Sequence, residues 1–175
     1  MTKDNTLKIV ALHRHWIVAD AVKTVLKQQM APEDEANSVT KFGLEYFAFG
    51  TNASMICRLQ VWYALLFVVI EGYEDLKLQF EPLDKVLAQG DYVDSLRRFR
   101  NATFHYQADP LNDKLINFLD KADSESWIRE LNKQMNSFFM QALPIQETLE
   151  KIAEFGLPKV PPGSKMDTLF RGPKA

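Results

Sequence analysis

The stretch VWYALLFVVI, residues 61–70, is apolar at every position, and its reading decides the fold. Its β-branched and aromatic content would suit a buried strand. Its surroundings argue otherwise, because the helical pattern runs unbroken on both sides from about residue 52 to about residue 76. A helix apolar almost all round is the expected central member of a bundle. Ten apolar residues bounded by Arg58, Gln60 and Glu71 are too few to span a bilayer.

The rest of the composition agrees with that reading. A chain of 175 residues suggests one domain. With 46% hydrophobic residues, 12 Phe and 3 Trp, it has enough apolar bulk for a core. Only 7 Gly argues against a turn-dense all-β fold. The net charge of −2 supplies no global positive field, so any nucleic-acid contact has to be local. The single cysteine, Cys57, excludes an internal disulfide framework and a cysteine-based zinc site. MTKDNTLKIV at the start has no apolar signal-peptide core, and a cytoplasmic protein is the expectation.

Working outward from 61–70, a first helix is expected over 7–30. Its stripe is Leu7, Val10, Ala11, Val18, Ala21, Val22 and Val25, with Asp4 or Asn5 as cap; Arg14 falls on that stripe, either along its edge with its head in solvent or aimed inward at a polar cleft. Residues 31–38 read as a polar connector and 39–50 as a short aromatic helix. A turn at Gly50-Thr51-Asn52 then opens the long helix, with Thr51 or Asn52 as its N-cap. A short helix over Phe80 to Ala88 follows. Asp91 caps the next helix, whose buried stripe is Tyr92, Leu96, Phe99, Thr103 and Tyr106 and whose end is Asp109-Pro110. Helices are expected at about 111–121 and 125–142, the latter capped by Ser124 or Ser126. Pro144 breaks the chain there, and a last piece covers 145–155. The expected architecture is all-α: a helical bundle of three to four long helices plus short ones over residues 1–158, with a mobile C-terminal tail over 159–175.

The chemistry-bearing stretch is DYVDSLRRFRNATFHYQ, residues 91–107, which holds three arginines and a histidine between Arg97 and His105. Inside it stands Arg100-Asn101-x-x-x-His105. A histidine moves protons near neutral pH, and an arginine offers a planar, permanent cation for phosphate. Arg97, Asn101 and His105 follow at four-residue spacing and share one helical face, so an Asn101–His105 hydrogen bond is sterically open. Arg100 lies about 140° round an ideal helix from His105. For both to meet one phosphate, either the helix distorts near Asn101 or a second subunit supplies half of the site. The plainer alternative is a solvated basic helix face ending in a capping histidine.

RNATFH resembles the R-[N/D/H]-x3-H form of the Rx4-6H signature of HEPN domains, all-helical domains found in prokaryotic toxins, phage-defence proteins and RNA-processing nucleases. The motif covers six residues, and the helical architecture extends the likeness over about 150. The resemblance implies a metal-independent endoribonuclease that uses no cofactor and cleaves RNA by 2′-hydroxyl attack. It implies a homodimer with a composite site, and an antitoxin or other regulatory partner protein. His105 would be the acid–base group, Arg100 the phosphate clamp and Asn101 its polar support, while Arg97 and Arg98 would touch backbone phosphates. A catalytically inactive module of the same type, binding RNA or a protein, is the alternative. Some of these toxins carry a tyrosine two places after the histidine; here Gln107 stands there, so regulation through that tyrosine is not expected.

Outside the motif, Arg58 and Glu71 flank the apolar run and are expected either to pair structurally or to support the site from behind. His13 and His15 point apart on a helix and make a poor metal pair. Phosphate-loop, dinucleotide-binding, zincin and serine-hydrolase motifs are absent from the sequence.

Overall fold

The computed structural model describes residues 3–26, 39–41, 44–109 and 112–155, and among these it is all helix and connecting turns, with no strand. Seven helices position the site: α1 (Lys3–Thr24), α2 (Leu44–Asp75), α3 (Glu81–Leu87), α4 (Gly90–Phe104), α5 (Asp113–Leu119), α6 (Ser124–Ala142) and α7 (Ile145–Phe155). Residues 39–41 are also helical. The expected connector at 31–38, the last residues of the first expected helix and the tail at 159–175 lie outside the described residues.

The apolar run does form the centre of the bundle. From Trp62 to Tyr73 most of α2 is buried, with Ala64, Leu66 and Ile70 fully so. Each fully buried large aliphatic or aromatic side chain contributes about 1.5–3 kcal/mol relative to exposure, and this run concentrates several. The helix is longer than expected. An 18-residue window within its Asn52–Asp75 portion has mean hydropathy 1.8, enough by length and composition to cross a membrane, and 39% of that window is buried inside the fold.

The expected turn at Gly50 does not exist, because α2 passes straight through Gly50, Thr51 and Asn52. One glycine inside a helix costs about 1 kcal/mol, and extending an existing helix past it needs no new nucleus.

α1 lies antiparallel against α2. Leu12 packs on Gly72, where an added Cβ would stand 2.5 Å from Leu12 Cδ1, and Arg58 Nη1 donates to the Val25 carbonyl at 2.7 Å. Ile9, Leu12 and Ala19 are the buried positions of α1, with Trp16 and Val22 packed partly against the core. The stripe expected from sequence lies largely on the other side: Leu7, Val10 and Val18 are exposed, as is Arg14. Two apolar faces compete on this helix, and periodicity alone cannot say which meets α2.

The short helices close the bundle. α3 runs antiparallel to α6, with Trp127 Nε1 donating to the Val86 carbonyl at 3.2 Å and Phe80 against Phe138. α4 crosses α2 and runs antiparallel to α5 through Phe99 and Phe118. Asn112 caps α5 by accepting from the Lys114 N–H at 2.9 Å. Asp123, in the left-handed conformation at φ 58°, stands at the N-cap of α6, where Ser124 or Ser126 was expected. Asp tolerates that conformation better than most residues.

Candidate functional site

The motif lies on the last turn of α4 and just beyond it. Leu96, Phe99 and Ala102 are the buried residues of this helix. Their spacing turns Arg97 and Arg98 outward, where both are exposed. Arg97 pairs with Asp94 one turn earlier at 3.1 Å, through two side chains open to solvent. Arg98 makes no ion pair among the described residues.

Arg100 sits at the edge of the buried face and is held from three directions. Its Nη2 donates to Glu71 Oε2 of α2, and its Nη1 donates to Asn101 Oδ1 at 2.8 Å. Its guanidinium lies 5.4 Å from the centre of the Phe67 ring. Glu71 and Phe67 are four residues apart on α2, so one face of that helix supplies both the carboxylate and the aromatic platform. The Arg100 side chain is 22% exposed and that of Glu71 40%, so solvent reaches the pair from one side. Arg100 Nε is buried with no acceptor among the described residues.

His105 stands just past the helix. α4 ends at Phe104, and His105 is its C-cap in extended backbone at φ −114°, ψ 144°, its N–H donating to the Asn101 carbonyl at 3.1 Å. The helix therefore ends well short of the expected Asp109-Pro110. Tyr106, expected in the buried stripe, is 92% exposed because it no longer follows the helical period. α4 runs regularly through Asn101 to Phe104, so no distortion falls near Asn101. At the other end Gln89, not Asp91, is the N-cap.

The Asn101 side chain turns to Arg100 rather than to His105. The His105 imidazole is exposed, and no hydrogen bond of its ring occurs among the described residues. The His105 carbonyl accepts from Gln107 Nε2 at 3.0 Å, and Gln107 Oε1 in turn accepts from Asn112 Nδ2 at 3.1 Å. Gln107, in the place of the tyrosine found in some toxins, thus fastens the chain beyond the motif to the start of α5.

Glu71 joins this constellation directly. Arg58 does not: it lies 13 positions earlier on α2, roughly 20 Å along the axis, where it braces the end of α1. Phe67 was missed in the sequence, although its four-residue spacing from Glu71 was there to be read. His13 stacks on Trp16 and meets Phe139 at a tilt, and burial lowers its pKa below the ordinary 6.5. His15 is exposed. Among the described residues no three His, Cys, Asp or Glu side chains cluster in a way that could hold a metal ion.

The chain matches no family model, no curated protein and no solved structure.

Proposed function

We propose that the chain is a metal-independent endoribonuclease of HEPN type, a cytoplasmic toxin or phage-defence effector working as a homodimer. In this reading Arg100 clamps the scissile phosphate and His105 moves the proton during attack by the 2′-hydroxyl. Asn101 holds the guanidinium in orientation through its Oδ1. Glu71 neutralises the arginine while no substrate is present. Arg97 and Arg98, exposed one turn earlier, supply backbone-phosphate contacts.

The observation that supports this reading best is the end of α4. His105 is the last residue bonded in the helical way, its N–H on the Asn101 carbonyl, and its φ of −114° frees its side chain from the ideal helical direction on which the offset of about 140° from Arg100 rests. Arg100 Nε is closed off, so a phosphate would meet the guanidinium through Nη1 or Nη2, in exchange for Asn101 or Glu71.

A binding module without catalysis is the second reading, favoured by the Arg100–Glu71 ion pair, which already cancels the clamp's charge. One assay separates the two. Purified protein is incubated with RNA in excess chelator, alongside His105→Ala and Arg100→Ala, with circular dichroism as the control for folding. The nuclease reading expects fragments from the parent and none from either variant. Cutting by His105→Ala at the parent rate removes the catalytic assignment, and RNA binding without fragments from any of the three leaves the binding module.

A further inference from the structure

Helices α1, α2 and α6 leave two adjoining cavities. One, of about 420 Å³, is lined by Trp16, Asp20, Lys23, Trp62, Arg129, Asn132 and Lys133, among others. The other, of about 500 Å³, is mainly apolar, with Leu26, Met55, Ile56 and Leu59 in its wall. Lys23, Trp62 and Arg129 belong to both walls. We propose that this double cavity binds an amphipathic monocarboxylate of the fatty-acid kind, its head among Lys23, Arg129 and Lys133 and its chain in the apolar chamber.

Charge and polarity carry the assignment. The polar chamber gathers three cations, Lys23, Arg129 and Lys133, with Asp20 in its own wall and Glu125 in that of the apolar chamber, so a carboxylate head would take the place of one internal partner. Each cation is paired with a carboxylate of its own helix: Lys23 with Asp20 at 3.3 Å, Lys133 with Glu130 at 3.3 Å, and Arg129 with Glu125. All of these side chains are open to solvent, and such pairs contribute little, so exchanging one for a bound head group costs little. Lys23 Nζ stands 5.9 Å from the centre of the Trp62 ring, over the wall the chambers share. Trp16 donates from Nε1 to Asn132 Oδ1 at 3.1 Å, which fixes the polar floor between α1 and α6. Trp62 Nε1, by contrast, is buried and has no acceptor among the described residues. A cationic and an apolar chamber that share a wall favour a ligand that brings a charged acceptor at one end and hydrocarbon at the other.

The test is titration of the full chain, with nitrogen-15 in its tryptophan indoles, by dodecanoate below its micelle concentration, with calorimetry in parallel. Dodecanol, which lacks the charge, and hexanoate and inorganic phosphate, which lack half or all of the hydrocarbon, serve as comparisons. The expected result is one dodecanoate per chain, with the Trp62 and Trp16 indole resonances moving and that of Trp127, bonded to Val86 on the α3 side of α6, staying in place. Dodecanol, hexanoate and phosphate should each bind at least about tenfold more weakly, as should dodecanoate to Lys23→Gln or Arg129→Gln, one charge-assisted contact being worth about that factor. The exposed positions of Lys23 and Arg129 keep both variants folded. The proposal is overturned by absence of saturable binding, by dodecanol or phosphate binding as tightly as dodecanoate, by several dodecanoates per chain, or by binding that leaves Trp62 unmoved.

Discussion

Arg100 is held by a carboxylate, an amide and an aromatic ring, yet its Nε lacks an acceptor. That combination gives the residue a definite position, and in the proposed reading a phosphate takes the place of one of its Nη partners. Glu71 is the counterweight. Glu71→Gln should keep the shape of the contact and remove its charge. Because Glu71 is partly exposed, the loss in stability should be modest, about 0.5–1 kcal/mol in urea denaturation. RNA affinity should rise several-fold in a filter-binding titration, since the guanidinium no longer has an internal anion to leave. Unchanged affinity would mean that Arg100 does not meet the phosphate. The pair itself was only half legible in the sequence. Arg100 and Glu71 both stood out, but they are 29 positions apart, and only the crossing of α4 over α2 joins them. The same limit explains Asn101. Its spacing suited His105, but the helix ends first, and the neighbouring guanidinium takes the amide.

At the scale of the element, two helices depart from their sequence pattern for opposite reasons. α2 is longer than expected because Gly50 was read as a break, whereas the helix runs through it. An added Cβ at Gly50 would meet nothing within 4 Å. Gly50→Ala should therefore stabilise the protein by about 0.5–1 kcal/mol, through helix propensity alone, seen as a higher urea midpoint at unchanged slope. Gly72 is the contrasting case, because Leu12 occupies the space its Cβ would need. α4 is shorter than expected. Its apolar period runs through Leu96, Phe99 and Ala102 and then meets no further core, so Tyr106 had no partner to hold it in the helix. The period was readable; where the core stops along it was not.

The whole molecule is organised by the aromatic layer between α2, α4 and α5. Phe99 is fully buried, with its ring centre 6.0 Å from that of Tyr63 and 5.4 Å from that of Phe118. Phe99→Ala should cost about 3–5 kcal/mol in chemical denaturation, because three helices would have to collapse on the cavity together. A loss under about 1 kcal/mol would mean that α4 is only loosely seated. The all-α class was legible from the run at 61–70. The outward face of α1 was not legible, because its two apolar stripes carry similar residues and only contact with α2 and α6 tells them apart. The central claim concerns Arg100 and His105 acting on one RNA phosphate, and the chemistry of the cut ends tests it most directly. RNA cut by the purified protein in chelator should carry 2′,3′-cyclic phosphate on one fragment and a 5′-hydroxyl on the other, with no product from His105→Ala. Fragments ending in 5′-phosphate and 3′-hydroxyl, or the same fragments from His105→Ala, would contradict it.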